Sequence, residues 1–108
     1  MADAKDYAPD VQKYVEKVDE AALKGIVRHC GIALRSRDSS LVSGGDPAEV
    51  ARIRDGFVTK KLGQTAPAAE LDAAITAVLA RMRGDRTKSR VTVYYLLAEH
   101  FGKLDAFA

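Results

Sequence analysis

Apolar residues recur at helical spacing through most of the chain, and recognisable starts and stops divide the pattern into five segments. In the first, Pro9 suits an opening helical turn, where its missing N–H would be unsatisfied anyway, and Val11, Tyr14, Val15 and Val18 follow. Asp19 is a candidate N-cap for the second. There Leu23, Ile26, Val27 and Cys30 share a face, and Gly31 closes it. The third starts most clearly. In "DPAEV", residues 46–50, Asp46 can cap, Pro47 takes the first helical position, and Glu49 completes a capping-box pattern. Its buried stripe is Val50, Ile53, Phe57 and Leu62, and Gly63 stops it. The fourth runs from Thr65 to Arg83. Leu71, Ile75, Val78, Leu79 and Met82 form its narrow apolar face, and Gly84 stops it.

The fifth segment, "RVTVYYLLAEHFG", admits two patterns. Val91, Val93, Tyr95 and Leu97 alternate as in a strand. Against that, residues 93–98 are apolar at every position, and Lys88, Thr92, Tyr95, Glu99 and Lys103 form one polar stripe at helical spacing. No other segment offers a strand to pair with. The pattern therefore predicts a helix over about 87–101, apolar around most of its girth and so central, with Tyr95 turning its hydroxyl to water. Between the second and third helices, "RSRDSSLVSGGD" reads as a long loop, 35–46, with Leu41 and Val42 tucked into the core. The expected architecture is all-α: a single domain of 108 residues, about five helices, a central C-terminal helix, and residues 1–8 as a flexible tail.

Composition adds limits. The chain is 47% hydrophobic and 30% charged, as a water-soluble globule requires. No apolar run approaches the ~20 residues that span a bilayer, so no membrane partner is expected. The N-terminus has no signal-peptide core, and the lone Cys30 cannot form an internal disulfide. Both point to the cytoplasm. A net charge of +2 is too balanced for a general polyanion binder.

Candidate chemistry is sparse. Glu99 and His100 suggest an acid–base pair, but neighbours on a helix diverge by about a hundred degrees. His100 also belongs to a repeated ending, "RHCG", "KKLG", "RMRG" and "EHFG", in which basic groups meet the negative end of a helix and glycine follows. His29 and Cys30 are adjacent too, and a lone cysteine on an apolar face is a small buried hydrophobe. "SGGD" lacks the Lys-Ser/Thr of a phosphate loop. Neither zinc nor calcium spacing occurs. No catalytic, cofactor-binding or metal-binding residue is therefore assigned, and the chain is read as a non-enzyme.

One feature stands outside this account. Helix starts attract acids, yet the last helix begins among Arg81, Arg83, Arg86, Thr87, Lys88, Ser89 and Arg90. Something negative should lie nearby. The internal candidates are Asp3, Asp6, Asp10 and Glu16 of the acidic first segment, and the external one is an anionic ligand.

The blocks "FVTKKLG" (57–63) and "VTVYYLLAEHFGK" (91–103) resemble a family of small bacterial proteins, number 2853 among the domains of unknown function, over about residues 10–103. The resemblance implies an all-helical fold and a bacterial cytoplasmic origin, and no substrate, cofactor or catalytic residue. An aromatic residue often precedes the family's counterpart of Arg90, and Ser89 stands there instead. The expected function is a non-enzymatic interaction module, acting on a protein partner or on a second copy of itself. The alternative is binding of an anion or nucleic acid through the 81–90 cluster, joined by Lys60 and Lys61.

Overall fold

A computed structural model describes residues 4–31, 34, 40–42, 45–84 and 88–107. The fold is all-α. In chain order it runs α1 (Ala4–Val11), α2 (Glu20–Cys30), β1 (Leu41–Val42), α3 (Pro47–Arg52) continued by a π-helix (Ile53–Thr59), α4 (Ala68–Arg81), β2 (Lys88–Ser89), α5 (Arg90–His100) and a 3₁₀ turn (Leu104–Ala106).

The expected central helix is α5. Every residue from Val91 to Ala98 is buried, and α1, α2, α4, the β pair and the 3₁₀ turn all pack on it. A helix surrounded on all sides has no water-facing stripe, and this changes the expected polar one. Thr92 is fully buried, and its hydroxyl donates to the Asp10 carboxylate. Tyr95 is 1% exposed, and its hydroxyl accepts the Asp19 N–H at 2.8 Å instead of meeting water. Both groups answer the rule that buried polar atoms find partners.

The helix begins at Arg90 rather than near 87, because Lys88 and Ser89 are extended. They pair antiparallel with Leu41 and Val42, in the register Leu41↔Ser89 and Val42↔Lys88. The expectation that no strand partner existed is thus corrected. The partner lies inside the long loop, where Val42 is buried as expected and Leu41 half-buried. The rest of the loop expectation, residues 35–39 and 43–44, lies outside the described residues.

The first helix is displaced toward the N-terminus. It spans Ala4–Val11 with Pro9 inside it, so residues 4–8, expected as tail, are helical. Tyr7, Ala8 and Val11 form the face that holds it on the core. Proline removes a donor from a helix interior; here the helix ends two residues later. Tyr14, Val15 and Val18 still meet the core, from turns rather than from a helix.

The remaining helices follow the pattern closely. Asp46 caps α3 by accepting the Ala48 N–H at 3.0 Å, with Pro47 at the first helical position. Beyond Arg52 the helix loosens into π geometry. The wider turn brings Phe57 and Val58, consecutive residues, both into the core. Helix α4 buries Leu71, Ala74, Ile75, Val78 and Leu79, with Met82 fully buried just beyond its end. Its bounds are tighter than Thr65–Arg83 because Pro67 precedes the first turn. Of the four expected glycine stops, Gly31, Gly63 and Gly102 have the left-handed φ, at 35°, 66° and 66°, and Gly84 does not.

Candidate functional site

The basic stretch 81–90 is one cluster in sequence and at least two places in space. Arg81 donates to the Tyr14 carbonyl and lies 3.6 Å from Glu99, beside the last turn of α5. Arg90 opens the first turn of that helix. Nine residues separate Arg90 from Glu99, roughly 13–14 Å at 1.5 Å per residue. Arg83 is exposed after α4, and Lys88 and Ser89 form β2. Arg86 and Thr87 lie outside the described residues.

Arg90 is bound on several sides. Its Nη2 donates to Glu49 Oε1 at 2.5 Å and to the Leu41 carbonyl at 3.4 Å, and its Nη1 donates to the Tyr94 hydroxyl at 3.1 Å. Burial opposes the guanidinium charge, but the hydrogen bonds it donates to Tyr94 and Glu49 outweigh it and hold the group above its ordinary range. Glu49 is 5% exposed and also accepts from Arg52 Nε at 3.1 Å. Its carboxylate is therefore committed to two arginines, not to the capping box the spacing suggested. Asp10, one of the expected internal acids, does approach α5, taking the Thr92 hydroxyl while pairing with Lys13 at 3.1 Å. The positive helix end thus faces two carboxylates from two different elements. The contribution of Glu49 was not legible in sequence, because its spacing from Asp46 fitted a local role. The Ser89 hydroxyl, at the N-cap position, is buried and finds no hydrogen-bond partner among the described residues.

Both histidines are exposed, but their surroundings differ. His100 is exposed at the end of α5, with its ring set edge-on to Phe101 at 5.0 Å. His29 joins an aromatic group instead: Phe57 at 5.5 Å, Tyr94 at 6.2 Å and Phe107 at 6.2 Å between ring centroids. Partial burial, then the nearby Lys61 ammonium, hold its imidazole below its ordinary range. Phe57 and Tyr94 stack at 3.9 Å, and the Arg90 guanidinium stands over Tyr94 at 5.7 Å. Cys30 is buried beside this group. Desolvation pushes its thiol up to about 12 against the pull of Arg90, so it carries little thiolate near neutrality. Sequence reasoning missed Phe107. It is buried after the 3₁₀ turn, and Lys61 Nζ lies 5.3 Å from the centre of its ring.

The outer side of α4 carries a different surface. Ala69, Ala73, Thr76, Ala77 and Ala80 are all exposed and occupy one helical face. Glu70 and Arg81, also exposed, stand eleven residues apart on one flank of it. On the inner side Arg54, from the π-helix, grips Asp72 with two 3.1 Å hydrogen bonds and fixes the helix in place.

Among the described residues, no group of three or more His, Cys, Asp or Glu side chains is placed to hold a metal ion, and no helix is long and apolar enough to cross a membrane. Architecture and surface define an all-α protein whose last helix is enclosed by the others. Its sequence matches the family model described as "Protein of unknown function (DUF2853)" over residues 6–105, nearly the whole chain, and the protein belongs to that family. No curated protein matches it.

Proposed function

We propose that the protein is a non-enzymatic helical interaction module that works through the outer face of α4. The observation that carries this reading is the uncharged face Ala69, Ala73, Thr76, Ala77 and Ala80, exposed in a chain of which 30% is charged. Small side chains let a second helix approach closely, and a face without charge loses little hydration when covered. A second copy laid antiparallel along α4 brings Glu70 of each chain toward Arg81 of the other, beside the Arg81–Glu99 contact already present. One fourteen-residue helix offers less surface than the roughly 800 Å² per partner of a standard interface, so the association is weak and reversible. A bacterial cytoplasmic setting belongs to the same reading, supported by the resemblance and by the buried, unpaired Cys30.

The alternative, an anionic ligand on residues 81–90, has less support. Arg81 and Arg90 lie toward opposite ends of α5, and each is engaged with a carboxylate. Light scattering over a concentration series tests the main reading. Wild type should self-associate at the highest concentrations, and Ala77→Arg should do so measurably less, with an unchanged melting temperature. A wild-type chain that stays monomeric throughout removes self-association through this face.

A further inference from the structure

The last described residues of the chain are held differently from the rest. Lys103, Asp105 and Ala106 are exposed, Leu104 is half-buried, and Phe107 alone is buried. Its ring stacks with Phe57 at 5.9 Å and lies 5.3 Å from the Lys61 ammonium, with the His29 ring edge-on. Its backbone rests directly on α2 at Gly25. A Cβ at that position would stand 2.8 Å from Phe107 Cβ and closer still to the Phe107 carbonyl oxygen. Gly25 has an ordinary φ, so approach of the chain, not backbone conformation, is what its missing side chain allows.

Phe107 joins the core cluster from beyond the 3₁₀ turn, so this part of the core is filled by a short segment rather than by a helix. Its ring meets a cation and another ring, and the peptide that carries it passes over a helix cleared of its Cβ. The segment that fills it is connected through Gly102, at φ 66°, immediately after the last turn of α5. The Lys103 N–H ties the start of the segment to the Ala98 carbonyl of α5 at 2.7 Å, and beyond it the backbone bonds are local, Ala106 N–H to the Lys103 carbonyl and Phe107 N–H to the Leu104 carbonyl, both 3.0 Å. Short local bonds and one buried side chain place such a segment at the low end of local stability.

We infer that Gly25, His29, Phe57 and Lys61 form a binding niche for an aromatic side chain, that the chain fills it with its own Phe107, and that the same segment of a second copy takes this place when the first is released. Lys103–Ala106 extends by roughly 13–14 Å when unfolded, enough to leave the niche without disturbing α5. The inference is independent of the α4 face, and Ala77→Arg leaves it unchanged.

Two measurements on the full chain test it. In Gly25→Ala the added methyl evicts the segment while favouring the helix. Hydrogen exchange at the Ala106 and Phe107 amides should quicken at least tenfold with α2 still protected. Wild-type exchange at both amides would overturn the niche. In Phe107→Ala the niche is vacated, and the synthetic peptide KLDAFA should produce saturable NMR shifts at Gly25, His29 and Lys61, whereas KLDAAA should not. A folded variant that ignores KLDAFA, or responds equally to both peptides, would overturn exchange between copies. If Phe107→Ala fails to fold, the hydrogen-exchange measurement on Gly25→Ala decides the niche.

Discussion

Arg90 and Glu49, forty-one residues apart, meet at 2.5 Å with side chains 13% and 6% exposed. Removing one member of such a pair leaves the other charged, buried and uncompensated, which costs about 3–5 kcal/mol. Glu49→Ala is therefore expected to lower stability by about that amount in urea denaturation. Replacing both, as Glu49→Leu with Arg90→Met, should recover most of the loss, because the desolvation of two charges disappears with them. A double variant as unstable as Glu49→Ala would show that the pair does more than neutralise itself.

Tyr95 supplies a second prediction. Its hydroxyl is the acceptor for the Asp19 N–H, and Asp19 in turn caps α2 through the Ala22 N–H at 3.0 Å. Tyr95→Phe keeps the ring and removes that acceptor. The expected loss is about 1–2 kcal/mol, equivalent to a fall of several degrees in the thermal midpoint for a chain of this size. A variant as stable as wild type would mean that water replaces the hydroxyl without cost.

The thiol of Cys30 should be inert in the native protein. With its pKa pushed up to about 12 by burial, labelling by a disulfide reagent near pH 8 should proceed only as fast as the chain opens. Adding urea should raise the labelling rate in step with the unfolded fraction. Rapid labelling of folded protein would place the sulfur in a different environment.

His29 sets a pH dependence with a definite sign. Burial and Lys61 lower its pKa in the folded state, so the unfolded chain binds the proton more readily. Stability from this residue is fully present above the unfolded value, about 6.5, and declines as pH falls through it toward the folded value. His29→Gln should flatten the slope of the thermal midpoint between neutral and mildly acidic pH. An unchanged slope would assign the dependence to other groups.

Much of this fold was legible in the sequence. Leu23, Ile26, Val27 and Cys30 are buried on α2, and Leu71, Ile75, Val78 and Leu79 on α4, because one face of a helix repeats at a fixed interval and burial follows the repeat. Asp19 and Asp46 cap as their positions suggested, since a cap needs only its own next turn. The central place of α5 followed from an apolar run too wide for one face. The α1 helix was harder to place. Pro9 suits an opening turn better than an interior one, and it lies inside the helix because Tyr7 and Ala8, which precede it, pack on the core.

The candidate site was less legible. Glu49 looks like a capping residue and becomes the counterion of Arg90. Arg81 and Arg90 look like neighbours and lie toward opposite ends of one helix. Phe107, in a short polar stretch, carries no periodicity to announce its burial.

By itself the sequence determined the helices that follow Asp19, which faces they bury and that the last helix lies innermost. Those features depend on local spacing and on the hydrophobic effect, which acts without direction. Only the tertiary structure decided which carboxylate answers which cation, that two residues of the long loop pair with Lys88 and Ser89, and that the chain returns over Gly25 to seat Phe107. Hydrogen bonds, ion pairs and close contacts depend on distance and angle, and those exist only once distant segments have been brought together.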